Sequence, residues 1–143
     1  MKTAQELLKD LLKGSIAPRL RECGLSGSGQ NYSLKSDHYW SLLSFQKSVY
    51  SSSDGLSFTV NLYVVSKSDW DAERVRRKTY PKTPTATFQW SVGWNSRIGE
   101  VLPIQKDHWW PLDGNSDLET LAQEVVAAIR DYAIPAMRAR MTE

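Results

Sequence analysis

Two acid–histidine neighbours are the residues of this sequence whose types best suit catalysis. Asp37 precedes His38, and Asp107 precedes His108. An imidazole oriented by a carboxylate can act as a general base. However, adjacent side chains diverge in extended backbone, and both pairs fall in predicted turns, where Asp and His are common for conformational reasons. Either histidine is therefore a candidate acid or base for which the sequence identifies no partner.

Other signatures of catalysis or metal binding are missing from the sequence. Gly27-Ser28-Gly29 lacks the Lys-Ser/Thr pair and the helix of a phosphate-binding loop, and no Gly-x-Ser-x-Gly elbow occurs. Cys23 has no disulfide partner, and it is expected to be a small buried thiol at the end of an amphipathic helix. One cysteine and two histidines cannot build the usual zinc site. We therefore assign no catalytic residue, no metal ligand and no cofactor.

A basic stretch is the candidate for contact with nucleic acid or phosphate. Arg74, Arg77 and Lys78 would share one face of a helix through spacings of three and four. Asp71 and Glu73 lie close enough in sequence to neutralise part of this charge. A specific nucleic-acid-binding domain usually has a larger basic excess or a recognisable motif. Solvated helix surface is thus the simpler interpretation.

Polar residues inside otherwise apolar strands are candidates for a binding surface. Gln46 and Ser48 continue a strand face that begins with tryptophan and leucine, and Asn61 faces opposite to the apolar residues of the next strand. These side chains could line a concave sheet face that meets a ligand or partner. They could equally form the solvated side of an antiparallel sheet. The sequence leaves both alternatives open.

Trp109 and Trp110 bear on the same choice. Consecutive side chains of an extended segment point to opposite faces, so one indole can enter the core while the other is exposed beside Arg97. Trp and Arg are enriched as anchors of recognition surfaces. Alternatively, the loop folds back and buries both rings, and each indole nitrogen finds an acceptor.

Three capping boxes predict the helices that would position these residues. The boxes begin at Thr3, Ser68 and Ser116, and the middle helix is expected to end near Lys78. Gly14 and Pro18 predict a kink in the first helix, Gly24 its end, and Pro135 a new turn or kink in the last helix.

Between these helices the hydrophobic period changes to two, as in β-strands. The pattern predicts strands at 31–35, 39–49, 56–64, 87–94 and 98–102, and a further one at 108–110. Trp90 and Trp94 would share one face of the fourth of these strands and lie in the core. Residues 27–29 and 51–55 are expected to be loops.

These elements predict a single α+β domain over residues 1–143. Hairpin-length loops imply an antiparallel sheet, of about five or six strands, packed against N- and C-terminal helices with a short middle helix. The chain has a formal net charge of +2, which does not imply a polyanionic partner. No apolar run approaches the roughly 20 residues of a membrane span, and no signal peptide is evident. We expect a cytoplasmic protein.

Five motifs in order give the chain a family resemblance. They are Gly24-Leu25, Phe45-Gln46-Lys47-Ser48, Phe58-Thr59-Val60-Asn61-Leu62, Arg97-Ile98-Gly99 and Trp109-Trp110. Over about residues 5–135 the chain resembles the bacterial domain-of-unknown-function family numbered 4304. Leu25 replaces an aromatic residue of the family pattern, and Tyr63 stands where the family usually has Gly, which speaks against a bulge or close backbone approach there.

The resemblance implies a compact α+β domain from bacteria or phage and no established activity. It marks six positions as candidate binding residues or as a buried polar network, namely Gln46, Ser48, Asn61, Arg97, Trp109 and Trp110.

Three functional hypotheses follow from the sequence. The first is a non-catalytic protein-binding domain, such as an immunity protein that neutralises a toxin or a modulator of a partner protein. The second is a small-molecule enzyme that uses Arg97 with His38 or His108. The third is a nucleic-acid accessory protein that uses Arg74, Arg77 and Lys78. We expect a protein partner rather than nucleic acid or a membrane, and the sequence leaves the oligomeric state open.

Overall fold

A six-stranded antiparallel sheet forms the centre of the computed structural model, which describes residues 2–141. Five strands follow the order β1-β2-β3-β4-β5, and β6 pairs with β4. The strands are β1 (Ser26–Ser28), β2 (Asn31–Ser33), β3 (Tyr39–Lys47), β4 (Gly55–Ser66), β5 (Trp94–Arg97) and β6 (Trp110–Asp113). The predicted α+β class and antiparallel sheet are confirmed.

Helices at both ends of the chain pack on one face of this sheet. These helices are α1 (Ala4–Leu11), α2 (Ala17–Glu22), α5 (Leu118–Ala128) and α6 (Ile134–Ala139), whereas α3 (Lys67–Arg76) follows β4 and packs on the opposite face, and the short α4 (Ile98–Val101) follows β5. Within residues 2–141, no helix is long and apolar enough to cross a membrane.

The capping boxes locate the helices, with small corrections. Thr3 caps α1 in a complete capping box with Glu6. The N-cap of α3 is Ser66 rather than Ser68, because the Ser66 hydroxyl accepts from the Asp69 amide, and α3 ends at Arg76 rather than near Lys78. The third box is shifted by one residue, since the Asp117 carboxylate accepts from the Thr120 amide.

The breaks expected at Pro18 and Pro135 are π-helical turns. Leu12–Ile16 joins α1 to α2, and Ile129–Ala133 joins α5 to α6. In each turn the residue before proline donates to a carbonyl five residues back, as Ala17 does to Leu12. Proline has no N–H and its ring crowds the carbonyl four residues back, so the wider turn keeps the helix continuous.

The face of the sheet under the helices carries the main hydrophobic core. On β4 the alternate residues Phe58, Val60 and Leu62 are at most 1% exposed. Phe58 lies between Phe45 and Trp110, with ring centroids 6.2 and 5.7 Å away. We call this the helix face.

The opposite face, which we call the second face, is buried only at one end. There α3 and the irregular segment 77–93 form an aromatic cluster with Trp70 at its centre. Trp70 is fully buried, stacks on Tyr80 at 5.3 Å and meets Trp90 edge-on at 4.9 Å. The Tyr63 hydroxyl donates to the Val92 carbonyl from below. We define the aromatic cluster as Tyr63, Trp70, Tyr80 and Trp90.

Three predicted elements differ in the structure. The predicted strand 87–94 is wrong, because only Trp94–Arg97 pairs with β4. Trp90 joins the aromatic cluster on the second face, whereas Trp94 packs against the main core, so the two rings do not share a strand face. The chain over 98–102 begins as the short helix α4. The predicted loop 27–29 is partly strand, since β1 and β2 form a hairpin.

Because Tyr63 stands where the family usually has Gly, the sequence speaks against a bulge at this position, and the structure has none. The β3–β4 register runs without a bulge from Tyr39 opposite Ser66 to Lys47 opposite Phe58. Tyr63 is fully buried, and burial raises the pKa of its hydroxyl far above the ordinary range.

Candidate functional site

One edge of β4 is shared by two short strands, and the site lies at the gap between them. β5 pairs with β4 from Asn61 to Val64, and β6 pairs with the same edge from Gly55 to Phe58. Between β5 and β6 the chain leaves the sheet over residues 98–109. The Thr59 hydroxyl donates a hydrogen bond to the His108 carbonyl at 2.7 Å, and this bond holds the end of segment 98–109 against β4 at the gap. Arg97 and Trp109 are thereby brought together.

Gly99 allows this excursion to fold tightly. A Cβ atom on Gly99 would lie 2.0 Å from the Lys106 carbonyl oxygen and 2.6 Å from the His108 amide nitrogen. Both neighbours are backbone atoms, which cannot move aside as a flexible side chain can. The Arg97-Ile98-Gly99 motif therefore contains a candidate binding residue, Arg97, and also the glycine against which residues 106–108 pack.

Arg97, Asp107 and Trp109 form a compact group that we call the Arg97 cluster. The Arg97 guanidinium donates to Asp107 Oδ2 at 3.0 Å, and the Trp109 indole nitrogen donates to the same oxygen at 2.9 Å. The guanidinium carbon lies 5.1 Å from the centre of a Trp109 ring, within the range of a cation–π contact. The Arg97 side chain is 37% exposed and that of Asp107 51%. The Arg97 cluster is thus ordered internally and open to solvent.

The Arg97 cluster borders a cavity of about 460 Å³ on the second face, which we call the polar cleft. Gln46 and Asn61 lie on its floor, where the Asn61 amide nitrogen donates to Gln46 Oε1 at 2.6 Å. The lining residues are Gln46, Asn61, Leu62, Ala86, Thr87, Phe88, Gln89, Asn95, Ser96, Arg97, Glu100 and Asp107. Gln46 and Asn61 thus line a concave surface on this face of the sheet, whereas Ser48 does not.

Hydrogen-bonding capacity in the polar cleft is not fully used. The Asn95 Oδ1 atom is buried without a partner, while the amide nitrogen of the same side chain donates to the Trp90 carbonyl at 3.3 Å. An unpaired buried acceptor is costly and is normally compensated by a donor. A ligand that donates a hydrogen bond to Asn95 Oδ1 would therefore bind more favourably than a ligand of similar shape that does not.

The structure brings four of the six predicted binding residues together. Gln46, Asn61 and Arg97 line the polar cleft, and Trp109 joins them through the Arg97 cluster. Ser48 lies beyond the end of β3, where its hydroxyl accepts from the Tyr50 amide. Trp110 is 5% exposed and belongs to the helix face. The two tryptophans thus point to different faces, and Trp109 is half-buried beside Arg97 with its indole nitrogen bonded to Asp107.

The histidines and the cysteine lie apart from the polar cleft. His38 precedes Tyr39, which pairs with Ser66, five positions along β4 from the Asn61 that pairs with Arg97. At about 3.4 Å per residue this separates Tyr39 from Arg97 by roughly 17 Å along the strand direction alone, and His38 lies one residue further away. The His108 ring packs edge-on against Trp110 at 4.7 Å. Burial raises the pKa of the Cys23 thiol, which disfavours the reactive thiolate.

The basic stretch does not form one helical face, because α3 ends at Arg76. Arg77 follows α3, and Lys78 lies beyond it. Arg77 also contacts the buried carboxylate of Glu73 at 3.5 Å, and Arg74 lies 3.8 Å from Asp71. Ion pairing therefore neutralises part of the charge that the nucleic-acid hypothesis requires.

Glu73 connects α3 to the segment that walls the polar cleft. Its carboxylate accepts from the Ser91 hydroxyl and pairs with Arg76 at 3.2 Å. The hydrogen bond from Ser91, followed by the charges of Arg76 and Arg77, lowers the pKa of Glu73 below its ordinary range.

Sequence reasoning missed part of the polar cleft. Phe88 and Glu100 line it from segments that were predicted to be regular strands, and Asn95 lines it from the residues between those segments. The signal that could have identified them is Gly93, whose φ of +89° interrupts a strand pattern. Among residues 2–141, no group of three metal-ligating side chains occurs.

Comparison with known proteins gives one match. The model of a family described as "Domain of unknown function (DUF4304)" matches residues 16–139, which is most of the chain. No curated protein and no solved structure matches the chain.

Proposed function

The chain belongs to the family of domains of unknown function designated DUF4304, and we propose that it is a non-catalytic domain that binds another protein through the polar cleft. The observation that carries the proposal is the Arg97 cluster, in which one carboxylate oxygen of Asp107 orders both a guanidinium and an indole. Preordered anchors lose little conformational entropy on binding.

The composition of this surface favours a protein partner. Arginine and tryptophan dominate binding hot spots, and here they adjoin the unpaired Oδ1 atom of Asn95 and the ring of Phe88, which is 56% exposed. An exposed aromatic ring beside polar groups suits a partner loop that inserts one or two side chains and covers the rim. Within residues 2–141 the histidines do not support the enzyme hypothesis, because His38 lies more than about 10 Å from Arg97 and the His108 ring packs against Trp110.

The family resemblance supports a bacterial or phage origin, and we propose a role in neutralising a toxin or modulating a partner protein. A protein that blocks a nucleic-acid-binding partner would imitate the nucleic acid with an acidic surface. This chain instead has a net charge of +2. We therefore expect the partner not to be a nuclease. We also propose a cytoplasmic location, where the unpaired Cys23 thiol stays reduced.

Co-expression with the product of a neighbouring toxin gene tests this proposal. We expect rescue of growth and co-purification of the two proteins, and both should be lost in Arg97→Ala and Trp109→Ala. Arg130→Ala is the matched control, because it also removes an exposed Arg–Asp ion pair but does not line the polar cleft. Absence of rescue and of co-purification, or equal loss in the control, would reject the proposal.

A further inference from the structure

The charged residues that line the polar cleft leave one negative charge unbalanced. They are Arg97, Glu100 and Asp107. Arg97 and Asp107 form an ion pair at 3.0 Å. Glu100 is exposed and accepts a hydrogen bond from the Ser96 hydroxyl at 3.2 Å, but within residues 2–141 it forms no ion pair. The polar cleft is therefore locally acidic, although the whole chain has a net charge of +2.

The side-chain donors around this charge are already used within the protein. Asn61, Asn95 and Ser96 donate to protein oxygens at 2.6, 3.3 and 3.0 Å. By contrast, the Oδ1 atom of Asn95 has no partner, and its dipole adds negative potential even where a ligand does not reach this buried atom. The polar cleft therefore favours a ligand that supplies both positive charge and hydrogen-bond donors.

An exposed aromatic ring lies on the wall of the polar cleft. Phe88 is 56% exposed, and its ring is held by Trp90, with the two centroids 4.5 Å apart. The face of an aromatic ring attracts a cation that lies within about 6 Å of its centroid. A guanidinium is planar, so it can stack on such a ring while its N–H groups point outward to a carboxylate. An ammonium group is a compact, strongly hydrated charge and lacks this geometry.

We propose that the polar cleft binds an arginine side chain that the partner protein inserts. This inference rests on the proposed function, because the arginine belongs to the partner. Its guanidinium donates to the Glu100 carboxylate and stacks on Phe88, while Arg97 and Trp109 contact the surface around the inserted side chain. An acidic side chain would instead meet the carboxylates of Glu100 and Asp107, and like charges repel.

Titration of the isotope-labelled protein with blocked single amino acids tests the proposal, because these probes carry the inserted side chain without the rest of the partner. The probes are N-acetyl-arginine amide, the citrulline analogue, which has the same shape without the charge, and the lysine analogue. We expect the arginine probe to bind with a dissociation constant on the order of 1 mM. The other two probes should bind at least threefold more weakly, with threefold as an approximate lower bound.

Two results of this titration would overturn the proposal. The first is equal binding of the arginine probe and either of the other probes, since neither the charge nor the planar group would then matter. The second is the absence of any spectral change at about ten times the expected dissociation constant.

Side-chain amide signals locate the bound probe. The amide resonances of Gln46 and Gln89 should shift, because both side chains line the polar cleft. Those of Gln5 and Gln123, which lie outside it, should not shift. Shifts confined to Gln5 and Gln123 would show that the probe binds elsewhere and would reject the site.

Conservative variants test the two contacts of the guanidinium. Glu100→Gln keeps the shape of the side chain and removes its charge, so it should weaken the arginine probe by roughly twofold to fivefold and leave the citrulline probe unchanged. Phe88→Leu should weaken the arginine probe by a similar factor. Glu124→Gln, on an exposed residue outside the polar cleft, is the control. Equal effects of Glu100→Gln and Glu124→Gln would contradict the proposed contact.

Arg97→Ala separates this inference from the proposed function. It should abolish co-purification of the partner without weakening the arginine probe, because one guanidinium is not a hydrogen-bond acceptor for another. If the partner co-purifies but the arginine probe does not bind, the inserted arginine is rejected and the protein partner is retained. If the arginine probe binds but no partner co-purifies, the proposed function fails while the preference of the polar cleft for a guanidinium holds.

Discussion

Adjacent residues of β4 are buried on its two faces by different means. Phe58, Val60 and Leu62 are buried by apolar packing under the helices. Thr59 and Asn61, which alternate with them, are also buried, but their polar groups bond to the His108 carbonyl and to Gln46. Apolar packing is redundant across many contacts, whereas each hydrogen bond depends on one partner in one geometry. We therefore expect the helix face to determine stability and the second face to determine recognition.

The largest effect on stability is expected from Phe58→Ala. Phe58 is fully buried between Phe45 and Trp110, so truncation removes apolar burial and leaves a cavity. Urea denaturation should show a loss of about 3–5 kcal/mol in the free energy of unfolding. A loss no larger than that of Gln46→Ala, on the second face, would contradict the distinction between the faces.

Gly99→Ala should be the next most damaging change. The added Cβ would collide with the Lys106 and His108 backbone, and overpacking of this kind costs about 1–3 kcal/mol. Gly114→Ala is the matched control, because a Cβ there meets nothing within 4 Å. Partner binding should fall with Gly99→Ala, since Asp107 and Trp109 are displaced from Arg97. Equal unfolding free energies for both variants would contradict the proposed close packing.

A pH-dependent contribution is expected from Glu73 on the second face. Because its pKa is lowered in the folded state, the ionised carboxylate stabilises the protein above the unfolded pKa, which is about 4.3 for glutamate. This contribution is lost as pH falls through the lower folded pKa. The difference in unfolding free energy between wild type and Glu73→Gln should thus be constant from pH 7 to 5.5 and shrink below about pH 4.3. A pH-independent difference would contradict the role of the charge.

The smallest effect on stability is expected from Arg97→Ala. The ion pair with Asp107 is about half exposed, and such pairs contribute about 0.2–1 kcal/mol. Thermal unfolding should therefore change little, while binding of the partner proposed above is lost. A large drop in unfolding temperature would show that the Arg97 cluster is structural and would remove it as a recognition surface.

Local patterns in the sequence were sufficient for most of the sheet. Strict alternation along β4 predicted its two faces, whereas the same period-two rule left open which of Trp109 and Trp110 enters the core and whether both do. Capping boxes located the helix starts within two residues. These features depend on neighbouring residues, so one sequence is enough to find them.

The segments that wall the polar cleft could not be predicted in this way. Residues 87–93 alternate like a strand, but Gly93 at positive φ packs its backbone against Val64 and Val65, and only the four residues after it pair with β4. The start of α4 and the fold of 102–108 depend on the space that Gly99 leaves for Lys106. Both outcomes result from contacts with residues distant in the chain, which periodicity does not encode.

The two π turns have a consequence for the helices as rigid elements. Each turn accommodates one residue more than a regular helix of the same rise, so the halves before and after Pro18 differ in rotational phase. If Leu12–Ile16 instead formed a regular α-helical turn with all its residues kept, α2 would be rotated by roughly 100° about its own axis. Leu20 would then leave the core and a charged side chain would enter it. The number of residues in this turn therefore decides which side chains of α2 face the core.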